Sequence, residues 1–497
     1  MVARAQTTET PSDFDLVSDV AVPHGLFIDG DWRASSTGAR FDVENPATGR
    51  SIASVADASS EDALDALASA SGAQEEWART SPRHRAEILR RAFTLIQERR
   101  NEFAAVITAE MGKPLAESLG EVDYGSEFFR WFSEQATQVH GDFGSNPAGG
   151  FRVITTKVPV GPSLLITPWN FPLAMGTRKI GAALAAGCTV ILKPAAQTPL
   201  TAALLVEVLV EAGVPRGVVN FIPTMDAAAQ SRTLMADARL RKVSFTGSTA
   251  VGSILLHQAA DNVLRTSMEL GGNGPFVVLE DADIEAAVNG AMLAKFRNGG
   301  QSCVAANRFI VHTSVAERFT EGLAVRTREL VMGDGTGGDV TVGPLIDQRQ
   351  RARVNELVED AISAGARVVC GARIPEVDGY FYEPTVLADV PATARITREE
   401  IFGPVATVTV ARDDEEAIAL ANDTPFGLAA FLYTKDVKRT FRVAERLEAG
   451  MIGINRGLVS EAGAPFGGIK ASGLGREGGQ LGIEEYLETK YFALDLA

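Results

Sequence analysis

Residues 163–193 read SLLITPWNFPLAMGTRKIGAALAAGCTVILK. An apolar run opens this stretch, a turn with two prolines follows, and a small-residue run at Leu173–Ala186 leads into a second apolar run at Thr189–Leu192. The two apolar runs predict strands that are covered on both faces, and the run between them predicts a helix. A strand, a helix and a second strand in this order are typical of a parallel sheet.

The same alternation continues on both sides of this stretch. Upstream, Val153–Ile166 is predicted as a strand that breaks at Gly161-Pro162, and residues 60–140 are predicted to be mainly helical. Downstream, strands are predicted at 218–222, 242–245, 276–279, 308–311, 368–369, 405–410, 429–433 and 451–454, with helices at 200–211, 247–260, 284–296 and 315–330. The pattern predicts an α/β fold with a doubly wound sheet followed by a second α/β unit. The apolar run Lys490–Leu496 predicts a lone strand that needs a partner.

Composition excludes several classes of function. The chain has 497 residues and a net charge of -16, which argues against a nucleic-acid partner or an anionic membrane surface. No apolar run is long enough to span a bilayer, and residues 1–20 resemble a flexible tail. The three cysteines show no paired spacing and the five histidines are scattered, so we expect a cytoplasmic protein with no metal site.

Three residues are candidates for covalent chemistry at a carbonyl. Cys303 follows Gly299-Gly300 and suits a nucleophile on a tight turn, although a lone cysteine is more often a buried apolar residue. Glu269 precedes Gly271-Gly272 and suits a general base, or else it caps a turn. The amide of Asn170 suits an oxyanion, or else the prolines around it only fix a turn.

Three further stretches suit a nucleotide. Gly247–Gly252 follows a strand and opens a helix, which offers N–H groups to a phosphate, although any strand-to-helix turn has this form. Lys193 ends a strand of the same sheet, where ligands of open α/β sheets bind. Glu400 and Phe402 precede a strand and suit ribose hydroxyls and a flat ring, or else a helix end and a turn.

Taken together, the motifs are far more specific than each one alone. In chain order they are P-W-N-F-P (168–172), K-P (193–194), F-T-G-S (245–248), E-L-G-G (269–272), G-Q-S-C (300–303), E-E-I-F-G-P-V (399–405), P-F-G-G (465–468) and K-x-S-G (470–473). In this respect the chain resembles the aldehyde dehydrogenase superfamily from about residue 25 to its end.

The resemblance implies a domain organisation. It divides the chain into a dinucleotide-binding domain at 21–140 and 161–270, a catalytic domain at 271–450, bridging and oligomerisation strands at 141–160 and 480–497, and a return to the cofactor domain with a substrate loop at 451–479. The implied assembly is a homodimer or homotetramer.

The resemblance also implies a mechanism. Cys303 attacks an aldehyde, Asn170 and the Cys303 N–H hold the oxyanion, hydride loss leaves a thioester, and Glu269 activates the water that hydrolyses it. Lys179 fits the family's lysine near the asparagine. The cofactor contacts implied are Thr167, Pro168, Trp169, Lys193, Ala196, Thr246, Gly247, Ser248, Gly252, Glu400 and Phe402.

Substrate and cofactor can be narrowed further. The run Asn273–Phe276 resembles succinate-semialdehyde dehydrogenases, in which Arg178, Arg297 and Ser460 match the residues that hold the distal carboxylate of a small anionic aldehyde. Ala196 stands where NAD-preferring relatives often carry Glu, which predicts NADP⁺ as the cofactor, with NAD⁺ as a second option.

The sequence also departs from the family pattern in two places. Ala305 replaces the second cysteine of redox-switched relatives, so that disulfide cannot form. Arg456 and the run Glu461-Ala462-Gly463 differ from the pattern of the subfamily. This difference leaves the length of the substrate's carbon chain open and keeps glutarate semialdehyde as an alternative substrate. A dehydrogenase for another aldehyde, in which the arginines serve the structure, a CoA-dependent acyl transferase and a structural relative without catalysis also stay open.

Overall fold

The computed structural model describes residues 20–495. Of the predicted tail at 1–20 only the last residue lies within the described residues, and Leu496, the end of the last predicted strand, lies outside them. The helices are α1 Ser60–Arg79, α2 Pro82–Glu98, α3 Arg100–Met111, α4 Leu115–Gln135, α5 Pro172–Ala186, α6 Pro199–Glu211, α7 Ala227–Ala236, α8 Thr249–Asp261, α9 Ile284–Phe296, α10 Ala316–Arg328, α11 Gln348–Ser363, α12 Asp414–Asn422, α13 Val437–Ala444 and α14 Leu481–Glu484.

The strands form four sheets. They are β1 Leu26–Ile28, β2 Asp31–Arg33, β3 Arg40–Asn45, β4 Arg50–Ala56, β5 Phe143–Ser145, β6 Phe151–Pro159, β7 Ser163–Ile166, β8 Val190–Lys193, β9 Val219–Phe221, β10 Lys242–Thr246, β11 Arg265–Glu269, β12 Gly274–Val278, β13 Ala306–His312, β14 Arg367–Cys370, β15 Thr385–Ala388, β16 Val405–Ala411, β17 Ala429–Tyr433, β18 Met451–Ile454, β19 Gly473–Leu474 and β20 Leu487–Asp495.

The first large sheet is built around parallel strands. Its order is β19-β11-β10-β7-β8-β9-β1-β2, and β11, β10, β7, β8 and β9 run parallel while the strands at both ends are antiparallel. Every residue of β7, β8 and β10 is buried, as expected for strands with helices on both faces. Helix α5 returns the chain from β7 to β8; it begins at Pro172 and ends at Gly187 in the left-handed conformation, φ 93°.

The second large sheet has the order β14-β15-β16-β13-β12-β17-β18 and is parallel except for β14. An aromatic group fills its core, in which Phe276 stacks on Tyr433 with ring centres 4.8 Å apart and packs against Phe309 at 5.0 Å. The two large sheets follow one another directly in the chain, because β11 ends at Glu269 and β12 begins at Gly274.

A small antiparallel sheet in the order β20-β6-β5 completes the fold, beside the hairpin β3-β4. Strand β20 pairs with β6 along its whole length, from Leu487 opposite Pro159 to Asp495 opposite Phe151. The predicted terminal strand is therefore confirmed up to Asp495, and its partner lies in the same chain. The domain boundaries drawn from the resemblance remain predictions.

The α/β fold predicted from the alternating runs is confirmed. The predicted strands on either side of Gly161-Pro162, which are β6 and β7, are also confirmed, as are the helix α5 and the strand β8 that follow them. The sequence analysis named no element at the strands β1 to β5, β15 and β19 or at the helices α7, α11, α12, α13 and α14. None of the helices within residues 20–495 is long and apolar enough to cross a membrane.

Candidate active site

Four neighbouring strands bring the predicted residues of the first sheet to one edge. The residue pairs Thr246–Glu269, Phe245–Ile166 and Ile166–Lys193 lie side by side in the parallel ladder. The carboxyl ends of β11, β10, β7 and β8 are therefore adjacent. The turn that follows Ile166 carries Asn170, so the structure gathers four separate motifs at the edge where ligands of open α/β sheets bind.

Cys303 reaches this edge on a tightly folded segment between α9 and β13. Residues Arg297–Gly300 form a short 3₁₀ turn in which Asn298 has φ 55° and Gly300 has φ 72°. A Cβ on Gly300 would lie 2.2 Å from the carbonyl oxygen of Gly403, and a Cβ on Gly272 would lie 2.5 Å from that of Cys303. Only glycine permits these two approaches, so the segment is held against both large sheets.

The Asn170 side chain lies against the same segment. Its Nδ2 donates to the carbonyl oxygen of Gln301 at 3.0 Å, and its Oδ1 is buried without a hydrogen-bond partner among residues 20–495. An amide nitrogen carries two hydrogens. One hydrogen bonds the carbonyl oxygen of Gln301, which lies two residues before Cys303, and this bond fixes the plane of the Asn170 amide. The other hydrogen is available to an oxygen bound near the thiol.

Glu269 belongs to a buried group of four charged side chains. Arg178 Nε lies 2.6 Å from Glu477 Oε2, Lys179 Nζ donates to Glu477 Oε1, and Lys179 also donates to Ser244 Oγ at 2.9 Å. Burial opposes the charge of Glu477, but Lys179 and Arg178 outweigh it and lower the pKa of Glu477. Glu477 is therefore a charged carboxylate that pairs with both Arg178 and Lys179.

Glu269 has the opposite electrostatic character. Within residues 20–495, neither of its buried carboxylate oxygens has a hydrogen-bond partner. Burial raises the pKa of Glu269 well above its ordinary value of 4.5, and the charge of Glu477 raises it further. A carboxyl group with a raised proton affinity is suited to accept a proton, which a general base requires.

The Cys303 thiol is neutral in the resting protein. Burial raises its pKa from 9.0 to about 12, while Arg178 and Arg297 act to lower it. Because the thiolate is the nucleophile, the thiol must lose its proton during the reaction. Glu269 is near enough to affect the pKa of Cys303, and it is the carboxylate in this group without a partner.

A cleft of about 480 Å³ opens from Cys303 across the strand ends. Phe402 meets Trp169 edge to face with ring centres 5.2 Å apart, and Glu400 Oε1 accepts from the Gly272 N–H at 3.0 Å. Burial raises the pKa of Glu400 to about 7. The predicted residues that line the cleft are Pro168, Trp169, Asn170, Thr246, Gly247, Ser248, Glu269, Cys303, Glu400 and Phe402.

Other residues predicted to bind the cofactor do not line this cleft. Gly252 lies in the first turn of helix α8, where a Cβ would come 2.4 Å from a methyl group of Leu270, so its small size serves helix-to-sheet packing. Lys193 is buried and donates to the Pro194 carbonyl oxygen at 3.1 Å, and burial lowers its pKa to about 8. Half-buried Ala196 lies three residues further on, and Thr167 is buried.

The residues predicted to hold a carboxylate do not line that cleft, but Arg178 and Arg297 lie near enough to the thiol to act on its pKa. Arg178 is 1% exposed and lies over the Phe466 ring at 4.2 Å, and its Nη1 has no hydrogen-bond partner in the described part of the chain. Half-buried Arg297 lies over Phe171 at 5.1 Å. Ser460 is half-buried in the loop after β18.

Several residues around the site were missed by the sequence analysis. Glu477 pairs with Arg178 and Lys179, and Tyr124 on α4 lies near enough to Arg178 and Arg297 that both act to lower its pKa, although burial raises it overall. Tyr124 also lies near Ser460, which acts to lower the same pKa. Each is far in sequence from its partners, and no local motif marks it. Across residues 20–495, no group of three or more His, Cys, Asp or Glu side chains is arranged to hold a metal ion.

Comparison with known proteins agrees with this geometry. The family model described as "Aldehyde dehydrogenase family" matches residues 32–492. A succinate-semialdehyde dehydrogenase of Paenarthrobacter nicotinovorans is 55% identical over 89% of this chain and 98% of its own length. One of Escherichia coli strain K12, named with NADP⁺, is 48% identical over 94% and 97%.

Two further comparisons bear on substrate and fold. A glutarate-semialdehyde dehydrogenase of Pseudomonas putida is 46% identical over 95% of this chain and 97% of its own. The crystal structure of an "E. coli NADP dependent enzyme" superposes with a TM-score of 0.94 at 47% identity, covering 96% of this chain and 98% of the other.

Proposed function

The chain belongs to the aldehyde dehydrogenase family, and from that premise we propose that it oxidises succinate semialdehyde to succinate with reduction of NAD(P)⁺. One observation carries the assignment. Cys303, the Asn170 amide and the unpaired carboxyl of Glu269 converge at one cleft, and two guanidinium groups lie close enough to the thiol to act on its pKa.

The nucleophile and the oxyanion site come first. Cys303 attacks the aldehyde carbon, and the free N–H of Asn170 Nδ2 and the Cys303 N–H hold the oxygen of the thiohemiacetal. Removing one such donor from an oxyanion site costs about 10²–10³-fold in kcat in other enzymes. The bond from Asn170 to the Gln301 carbonyl keeps the amide in place before substrate arrives.

Glu269 acts as the base. It takes the thiol proton directly or through water, releases that proton to solvent, and later deprotonates the water that hydrolyses the thioester on Cys303. Its raised pKa suits both steps. Lys179 then acts through Glu477, because its cation keeps that neighbouring carboxylate charged and so helps to set the proton affinity of Glu269. Retention of a base for water favours hydrolysis over acyl transfer to CoA.

The cleft fits a nicotinamide cofactor. Thr246 Oγ1 is buried there without a partner among the described residues, and a Cβ on Gly271 would lie 2.9 Å from Glu400 Oε2. When bound, the oxidised nicotinamide supplies the hydride acceptor. Glu400 would accept from ribose hydroxyls, the N–H groups at the start of α8 near Ser248 would bind a phosphate, and Phe402 with Trp169 would border the ring.

NADP⁺ is the preferred form in this proposal. Ala196 places no carboxylate at the position where one would repel a 2′-phosphate. Lys193 lies nearby and has no acidic partner within residues 20–495, and burial lowers its pKa to about 8. A bound phosphate would raise that pKa and gain a charged hydrogen bond. The NADP⁺-named relative supports the same preference.

The substrate carboxylate is assigned to Arg178, Arg297 and Ser460. Arg178 has one free donor nitrogen even though it pairs with Glu477, and Arg297 has a half-buried guanidinium. Glutarate semialdehyde is the second candidate substrate, because one relative bears that name and one methylene changes discrimination by only about 1–3 kcal/mol.

We also propose a cytoplasmic homodimer or homotetramer. Strand β20 leaves one edge of its sheet open, with Tyr491, Phe492 and Leu494 exposed by 54%, 45% and 44%. Covering that edge in an oligomer removes an aggregation hazard. The three cysteines are all free, which suits a reducing compartment.

The test is the change in absorbance at 340 nm with purified protein, succinate semialdehyde and NADP⁺ or NAD⁺ in parallel. Butanal serves as the uncharged control and Cys303→Ala as the blank. Faster turnover of the semialdehyde, greater with NADP⁺ and absent in the variant, supports the proposal. Equal rates on both aldehydes would contradict the arginine pocket, and a higher rate on glutarate semialdehyde would favour the second candidate.

A further inference from the structure

A set of three charged residues, one in the link between α3 and α4 and two on the first turns of α4, connects the Asn170 turn to the Cys303 segment. We define the brace as Lys113, Glu117 and Glu121. We propose that the brace positions the oxyanion donor relative to the nucleophile, as a unit that touches neither the aldehyde nor the cofactor. This inference rests on the proposed function.

Lys113 and Glu121 hold the Asn170 side of the site. Lys113 Nζ, with a side chain 1% exposed, donates to Glu121 Oε2 at 2.6 Å and to the Asn170 carbonyl oxygen at 2.8 Å. The same ammonium lies 4.1 Å from the centre of the Phe171 ring. Glu121 Oε1 accepts the N–H groups of Leu173 and Ala174 at 2.9 and 3.2 Å.

These bonds replace a missing helix cap. Phe171 precedes α5 and offers no side-chain acceptor, so the first free N–H groups of α5 need one from elsewhere. Glu121 supplies it from α4, and the positive end of the helix stabilises that carboxylate. The Asn170–Pro172 turn is therefore fixed to α4 at two points, its carbonyl oxygen and the start of α5.

Glu117 holds the Cys303 side. Its Oε2 accepts the Asn298 N–H at 2.8 Å, within the 3₁₀ turn that leads to the nucleophile. Asn298 has φ 55°, a conformation that non-glycine residues adopt only when their surroundings impose it. Asn298 Nδ2 then donates to the Asn170 carbonyl oxygen at 2.9 Å and to the Gln301 carbonyl oxygen at 3.0 Å.

The Asn170 carbonyl oxygen is the point where both sides meet. It accepts from Lys113 on one side and from Asn298 on the other, while the Asn170 amide bonds Gln301. Moving either contact of α4 would tilt the amide relative to Cys303. A misplacement of about 1 Å at reacting groups can cost about 10²-fold in rate.

The first test replaces Glu117. We compare Glu117→Ala, which removes the acceptor for the Asn298 N–H, with Glu117→Gln, which keeps an acceptor without the charge. Glu127→Ala is the matched control, a carboxylate on the same helix whose side chain is 43% exposed. Each variant is assayed with succinate semialdehyde and NADP⁺ for kcat, KM and the rate and amplitude of the first burst of NADPH, and for Cys303 alkylation by iodoacetamide.

Glu117→Ala should lower kcat and the burst rate constant by about 10- to 100-fold, while the KM for NADP⁺ and the alkylation rate change by no more than about twofold. Glu117→Gln should recover most of the burst rate. A role in folding alone would lower the burst amplitude and melting temperature but leave the rate constant of the active fraction unchanged, and that result would overturn the proposal. A Gln variant as slow as Ala would also overturn it.

A second variant removes the dependence on one substitution. Lys113→Met with Glu121→Gln takes away both charges together, so no single buried charge is left unpaired. It should slow the burst in the same way without changing alkylation, and an unchanged burst rate would contradict the proposal. If the wild type gives a burst with butanal but not with succinate semialdehyde, the proposed substrate is wrong, and the brace is tested with butanal. If no aldehyde gives a burst, both the proposed function and the brace are overturned.

Discussion

The rate at which the Cys303 thiol reacts should keep rising with pH well above the pH at which a solvated thiol ionises. Burial raises its pKa from 9.0 to about 12. At pH 8 such a thiol holds about 10³-fold less thiolate than a solvated one. A more basic thiolate is a better nucleophile, and a Brønsted slope of about 0.4–0.5 returns roughly 20-fold of that loss. We therefore expect Cys303 to react about 50-fold more slowly than a free thiol at pH 8.

The assay is alkylation by iodoacetamide between pH 7 and 10.5, followed by mass spectrometry of the Cys303 peptide so that Cys188 and Cys370 are counted separately. The rate should rise about tenfold per pH unit across this range without reaching a plateau. N-acetylcysteine is the solvated reference, and circular dichroism at each pH checks that the fold is intact. A plateau below pH 9 would show a stabilised thiolate in the free protein, and the assignment of thiol activation to Glu269 would then fail.

Four other substitutions test single contacts. Glu269→Gln should lower kcat by about 10²–10⁴-fold because the thioester awaits an activated water, which NADPH release measures; an unchanged kcat would contradict the base role. Arg297→Met should lower kcat/KM for succinate semialdehyde by about 10- to 100-fold but spare butanal, and equal losses on both would refute the carboxylate contact. Ala196→Glu should shift the kcat/KM ratio of NADP⁺ to NAD⁺ at least about tenfold toward NAD⁺, with an unaltered ratio as the contrary result. Burial lowers the pKa of Lys295 from 10.5 to about 7. Between these two pH values the unfolded chain holds a proton on Lys295 that the folded chain does not, so the free energy of unfolding decreases as the pH falls from 10.5 to about 7. Lys295→Met should therefore raise the melting temperature by about 2–4 °C at pH 7 and by less at pH 10, as measured by calorimetry. A larger gain at pH 10 than at pH 7 would contradict this prediction.

The sequence predicted the core of the fold well because each element carries its own signal. Fully buried parallel strands need unbroken apolar runs, and residues 163–166 and 190–193 have them. Helix α9 and strands β17 and β18 fall on their predicted bounds. The strands β1 and β2 escaped detection because they have three residues each, too few to show a period.

The candidate site was predictable in part for a similar reason. Its motifs lie at strand ends, and the carboxyl ends of parallel strands always meet at one edge, so Glu269, Thr246 and Lys193 had to be neighbours once the sheet order was set. The sequence marked Arg178 as a residue that binds carboxylate. It did not reveal that Arg178 also pairs with Glu477, which lies 299 positions further along the chain by the two residue numbers.

The amino-acid sequence by itself determined the α/β class, the parallel core and the residue types that gather at the carboxyl edge of the first sheet, because these depend on local periodicity and on turn chemistry. Only the tertiary structure decided which charges meet. Glu117 reaches Asn298 across 181 positions and Lys179 reaches Glu477 across 298. The pKa of a buried group depends on its desolvation and on the charges around it, and both are set by the packing of distant segments.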